Sequence, residues 1–136
     1  MPILEVHLVE GMHTPAQHTE LLSAMSARYA EVLEWPLDRV RAYVTLHRPE
    51  LWATAGVPAS PRSAPYFTAM VLEGRPLERR RLLGAFTDII VDVLGVDRRL
   101  VHGRIIAVHP EDWAIGGVPA GIARRGRLDA PAATSS

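Results

Sequence analysis

Pro2 stands directly ahead of an alternating run, ILEVHLV, at residues 3–9. Proline lacks a backbone N–H and suits the first position of a strand. Removal of Met1 would give Pro2 a second capacity. Its ring nitrogen would become a free secondary amine, able to act as a base or a nucleophile. An α-amine titrates near 7.7–8.0, and burial beside cations lowers that value. A base poised near neutrality suits proton transfer α to a carbonyl. Cations are available: the chain has fifteen basic residues, every one arginine, balanced by fifteen acidic ones. Guanidinium forks match carboxylates in a way that ammonium groups do not.

Other chemistries are excluded or unsupported. The chain has no Cys, which removes disulfides, thiolate metal sites and Cys nucleophiles. Its six histidines form no metal set, since His13 and His18 are five apart and miss the i, i+4 spacing of a helical ligand pair. No Gly-rich phosphate motif occurs. A net charge of zero gives no general attraction to nucleic acid or anionic membrane. The apolar run after Met1 is broken at Glu5, His7 and Glu10, and no stretch approaches the roughly 20 apolar residues of a membrane span. The expectation is a cytoplasmic protein with no metal or cofactor.

These residues must be held by a duplicated framework. RPELWATAG (48–56) aligns with HPEDWAIGG (109–117), so that Trp113 follows Trp52 by 61 residues. The same offset sets Leu21, Leu22, Met25, Tyr29, Val32 and Leu33 against Leu82, Leu83, Phe86, Ile90, Val93 and Leu94. Both sets follow the stripe of an amphipathic helix. LVEG (8–11) faces VLEG (71–74) at an offset of 63. Three matches in one order argue for a repeated unit.

Each unit reads strand, helix, strand. Unit one (2–56) has a strand at 3–9, and a helix from Pro15 to about Glu34 with Thr14 as N-cap and Pro36 as stop. Its second strand, RVRAYVTL at 39–46, places Val40, Ala42, Val44 and Leu46 on one face and Arg41, Tyr43, Thr45 and His47 on the other. Unit two (66–125) repeats this with strand 66–73, helix 77–94 capped by Gly95, and strand 101–108. Residues 57–65 read as a linker rich in Pro, Ser and Ala, IGG (115–117) as a hairpin turn, and 126–136 as a disordered tail. A strand–helix–strand crossover makes a parallel pair. Two units then give a four-stranded α/β sheet with two helices on one face. The other face is expected to carry much apolar surface that further subunits would cover.

A doubled β-α-β unit headed by Met-Pro resembles the tautomerase superfamily, over residues 2 to about 125. The resemblance implies one domain (1–125), a homotrimer, and catalysis by the N-terminal proline, here Pro2. The family's L-E-G-R motif, whose arginine binds substrate carboxylate, matches LEGR and implies that role for Arg75; unit one has Met12 there. The second arginine of the family, in P-L-x-x-V-R, matches PLDRVR and implies Arg41, with His102 at the unit-two position. The aromatic before G-x-G-G corresponds to Trp113 in WAIGG. HRPEL (47–51), RS (62–63) and DR (38–39) lean toward the malonate semialdehyde decarboxylase and cis-3-chloroacrylic acid dehalogenase branch, in which Asp38 corresponds to the water-activating acid. Leu77 stands where that branch's second clamp arginine would be, and Tyr29 where its dehalogenase has a catalytic His.

The reading that follows is a tautomerase for a small 2-oxo or 2-hydroxydienoic acid. Arg75 and Arg41 would bind the carboxylate end and Pro2 would shuttle the proton. Trp113, Asp38, Tyr43 and His102 would line the substrate. The alternatives are a hydratase or decarboxylase of a three-carbon acid, and a non-catalytic binding member of the fold. Each residue also has a plain structural role open to it: Trp113 as core, Arg41 as an ion-pair partner, Asp38 as a turn residue.

Overall fold

The computed structural model describes residues 2–121. Ten regular elements follow in order: β1 (Ile3–Val9), α1 (Pro15–Leu33), β2 (Arg41–His47), β3 (Ala53–Thr54), β4 (Val57–Pro58), β5 (Tyr66–Leu72), α2 (Pro76–Leu94), β6 (His102–Val108), β7 (Ala114–Ile115) and β8 (Val118–Pro119). The main sheet has the order β2-β1-β5-β6. β1 pairs parallel to β2 and β5 parallel to β6, while β1 and β5 meet antiparallel with Leu4 opposite Ala69 and His7 opposite Tyr66. The two β-α-β units thus join side by side and head to tail. The start of β1 lies beside the end of β5.

Alternation in the strands fixes which side meets the helices. Leu4, Val6 and Leu8 from β1 and Phe67, Ala69 and Val71 from β5 are buried in one cluster with Leu21, Met25 and Tyr29 of α1 and Leu82, Phe86 and Ile90 of α2. At its centre Tyr29 meets Phe86 edge-on at 5.1 Å, and Phe86 meets Phe67 the same way at 5.5 Å. Such T-shaped contacts align ring edges with the negative faces of their neighbours. The buried Tyr29 hydroxyl donates to the carbonyls of Ile3 and Met70, which ties the head of β1 to β5. The position aligned with a catalytic His is therefore a core clamp here.

Helix ends follow the sequence signals closely. Thr14 caps α1 by accepting from the Gln17 N–H, and the Gln17 side chain returns the bond to the Thr14 N–H, completing a capping box. Gly95 closes α2 in the left-handed region at φ 67°. α1 ends earlier than its proline stop, because Glu34 itself takes a left-handed cap at φ 57°. β2 and β6 start at Arg41 and His102, two and one residues later than expected, since Leu37–Arg39 and Arg98–Leu100 form single 3-10 turns. Part of the expected linker is structured: Val57–Pro58 is the second arm of a hairpin that mirrors β7–β8. The expected tail at 126–136 lies outside the described residues.

The sheet face away from the helices differs from expectation. It is not a plain apolar surface. Register places Glu5, His7, Tyr43, Thr45, His47, Tyr66, Thr68, His102 and Arg104 on it among Ile3, Met70 and Ile106. The Thr45 hydroxyl donates to Glu5 at 2.6 Å, Glu5 meets His7 at 3.3 Å, and His7 Nδ1 lies 2.8 Å from His47 Nε2. Leu46, expected on the buried face, is 45% exposed because β2 is an edge strand. No helix among the described residues is long and apolar enough to cross a membrane.

Candidate functional site

Pro2 is fully buried at the head of β1, and its carbonyl accepts the Arg41 N–H at 2.9 Å. That bond sets β1 and β2 in register and brings the first residue of β2 opposite Ile3, next to the proline. Ile3, Asp38, Arg39, Arg41, Trp113 and Ile115 line a cavity of about 280 Å³ at this end of the sheet. Three of the sequence candidates, Asp38, Arg41 and Trp113, therefore come together next to Pro2's neighbour Ile3. They come from three places: the 3-10 turn before β2, the first residue of β2, and the residue that leads into the hairpin β7–β8 of the other unit.

Each lining residue is held by its own local geometry. Arg41 folds back so that its guanidinium donates to the Asp38 carbonyl at 2.7 Å and the Val40 carbonyl at 3.1 Å. The 3-10 turn Leu37–Arg39 is closed by Arg39 N–H to the Pro36 carbonyl, which places Asp38 and Arg39 at the rim. Arg39 was missed by sequence reasoning. Its guanidinium carbon lies 5.5 Å from the Trp35 ring centroid, a cation–π distance, and the available signal was its i, i+2 spacing to Arg41. Trp113 packs with Leu72, Ala120, Ile115 and Trp35. It is thus both a wall of the cavity and part of a small second core.

Arg75 does not line this cavity. It follows β5 as the N-cap residue of α2 and is held by Glu78 at 3.5 Å, with both side chains about one-quarter exposed. The antiparallel pairing of β1 with β5 nevertheless puts it at Pro2's end of the sheet. Tyr43 lies further along β2, on the polar sheet face. It faces Glu5, and burial followed by the Glu5 charge holds its phenol above the usual tyrosine value. His102 lies at the opposite end of the sheet, where its N–H donates to the Pro65 carbonyl at 3.1 Å. Among the described residues no group of three or more His, Asp or Glu side chains is placed to hold a metal ion.

The His102 end carries its own cavity, about 480 Å³. It is the other site's counterpart, element for element. Tyr66 takes the place of Ile3, Leu100 of Arg39, His102 of Arg41 and Trp52 of Trp113. In each case the hairpin of one unit reaches over the strand starts of the other.

No protein-family model and no curated protein matches the sequence. Solved structures do. The wild-type symmetric trimer of Q0 fused 4-OT is 27% identical, with 89% of this chain and 98% of that chain covered at a TM-score of 0.80. A native fused 4-OT is 25% identical, with 90% and 99% covered at 0.82. Macrophage migration inhibitory factor from Toxoplasma gondii is 19% identical, with 84% and 96% covered at 0.68, a likeness of fold alone. Two helices on a four-stranded mixed sheet of paired β-α-β units is the fold this chain has in common with the fused 4-OT structures.

Proposed function

We propose that this chain is a cofactor-independent tautomerase that interconverts enol and keto forms of a small 2-oxo acid. The observation that carries the reading is the cavity at Pro2's end of the sheet, lined by Pro2's neighbour Ile3, which gathers Arg39, Arg41, Asp38 and Trp113 on a fold in common with fused 4-OT structures. With Met1 removed, the Pro2 nitrogen is a secondary amine. Its burial and the nearby guanidinium groups favour the neutral, basic form. Arg41 and Arg39 hold the substrate carboxylate by charge-assisted hydrogen bonds. Pro2 removes the enol hydroxyl proton, the carbonyl forms, and the same proton is returned to carbon. Trp113 covers the cavity and limits water. Arg75, from the end of β5, supplies a further cation as the subunits associate in a homotrimer of the kind named for the fused 4-OT neighbours.

Asp38 favours one second reading. Its place in the same lining suits it to hold a water molecule, so that a protonated Pro2 and Asp38 together would hydrate or decarboxylate a three-carbon acid.

The test is ultraviolet monitoring of 2-hydroxymuconate and phenylenolpyruvate ketonisation, with Pro2→Ala alongside and intact mass to establish loss of Met1. Activity that collapses in the variant is expected. An inactive protein with a free Pro2 refutes the tautomerase reading, and malonate semialdehyde is then the next substrate to assay. Elution at the monomer mass of 15.0 kDa would refute the trimer.

A further inference from the structure

The cavity at Pro65 is larger than the one at Pro2, about 480 Å³ against 280 Å³, and falls in the range that takes small organic ligands. Its chemistry is set by what the second unit has in place of the first unit's groups. Pro65 lies within the chain, so its nitrogen is an amide and carries no basic lone pair. Where the first cavity has the guanidinium groups of Arg39 and Arg41, this one has Leu100 and His102. Among the described residues no Arg, Asp or Glu lines it. Its walls are Trp52 and Tyr66 with Ala53, Ala64 and Pro65 between them.

A carboxylate entering such a cavity would lose water without gaining a fixed cation, which is costly. An uncharged planar ring would gain apolar and aromatic contact instead. Two groups give polar anchorage. The Trp52 indole N–H donates to the Thr54 hydroxyl oxygen at 3.2 Å, which leaves the Thr54 proton able to donate outward. The His102 ring lies on the exposed end of β6 and offers one donor and one acceptor when neutral. The rear of the cavity is stiffened by ring contacts: Trp52 lies 5.1 Å from His47, and Tyr66 stacks on His7 at 5.6 Å. His7 and His47 are themselves hydrogen-bonded, so both aromatic walls rest on one fixed pair.

We propose that the Pro65 cavity is a second, non-catalytic binding site for a small uncharged aromatic molecule carrying one hydrogen-bonding group. It is separate from the Pro2 cavity and does not depend on the tautomerase reading.

The experiment uses the full chain labelled with 5-fluorotryptophan, whose three tryptophans give three fluorine resonances, assigned by Trp→Phe variants. Benzamide and benzoate are titrated as matched neutral and anionic probes. Benzamide is expected to shift the Trp52 resonance saturably, with benzoate weaker there by about tenfold or more. Leu100→Arg restores the cation of the other cavity and is expected to reverse that order at Trp52. A Trp52 resonance that does not respond to benzamide overturns the proposal. So does equal affinity for the two probes in the unaltered chain. The Trp113 resonance reports the Pro2 cavity independently: silence there with a response at Trp52 counts against the carboxylate site alone.

Discussion

Gly103 of β6 lies against Phe67, and replacing it by alanine tests how rigid the ring stack beneath the sheet is. A Cβ at that position would come within 2.5 Å of Phe67 Cδ1 and closer still to Cε1 and Cζ. Ordinary carbon contacts are about 3.5–4.0 Å, so the ring has to move by roughly 1 Å or more. It has little room, because Phe67 is 1% exposed and its other side meets Phe86 edge-on. Phe86 in turn is held by Tyr29. Overpacking of this kind costs about 1–3 kcal/mol. At this chain length that corresponds to a fall in Tm of roughly 3–10 °C, measured by thermal unfolding at fixed protein concentration. Phe67→Leu frees the space, so the double variant Gly103→Ala/Phe67→Leu is expected to be more stable than the sum of the two single effects predicts. A Gly103→Ala protein that melts within about 1 °C of the parent, or strictly additive effects, would refute the argument.

Four further outcomes are expected at three other residues. Tyr29→Phe removes the donor shared by the Ile3 and Met70 carbonyls and is expected to cost about 1–3 kcal/mol in urea unfolding. Burial holds the Tyr29 phenol above its ordinary value of 10.0, so the parent loses stability as pH rises past 10.0, and the Phe variant is expected to lose less over that range. On the acid side, the Thr45 hydroxyl, with a smaller contribution from His7, holds Glu5 below its ordinary 4.5. That stability is present above 4.5 and lost as pH falls through the lower folded value, so Glu5→Gln is expected to show a flatter acid unfolding profile than the parent. Arg41→Ala is expected to raise KM for a carboxylate substrate by about 10- to 100-fold, the worth of one charge-assisted hydrogen bond, in steady-state ketonisation assays. An unchanged KM would remove Arg41 from carboxylate binding.

Most of the framework was readable because its signals are local. The stripes of α1 and α2 recur every three or four residues, Thr14 and Gly95 carry standard cap chemistry, and the shared offsets expose the duplication. The short hairpin β3–β4 escaped, since Ala53–Thr54 and Val57–Pro58 are too brief to show alternation and the second pair lies in a Pro-rich stretch. The polar character of the open sheet face was in the letters at Arg41, Tyr43, Thr45 and His47, but only the strand pairing shows that Tyr43 faces Glu5, that Thr45 bonds to Glu5 and that His47 bonds to His7. The site divides the same way. Asp38 and Arg41 were near each other in the chain, whereas the approach of Trp113 depends on which unit the last hairpin covers. His102 was grouped with them by motif position, yet the head-to-tail sheet carries it to the other end.

The crossed hairpins bind the history of the two halves together. Trp52 belongs to the first half yet serves the second half's cavity, and Trp113 does the reverse. Two separate identical chains pairing this way could build only twin cavities, because any substitution would appear in both. Joined in one polypeptide, each half can drift independently while still supplying the other's wall. The arginine pair at one end and the Leu100–His102 pair at the other are the visible record of that freedom. A half-chain standing alone would lack the wall that the other half supplies.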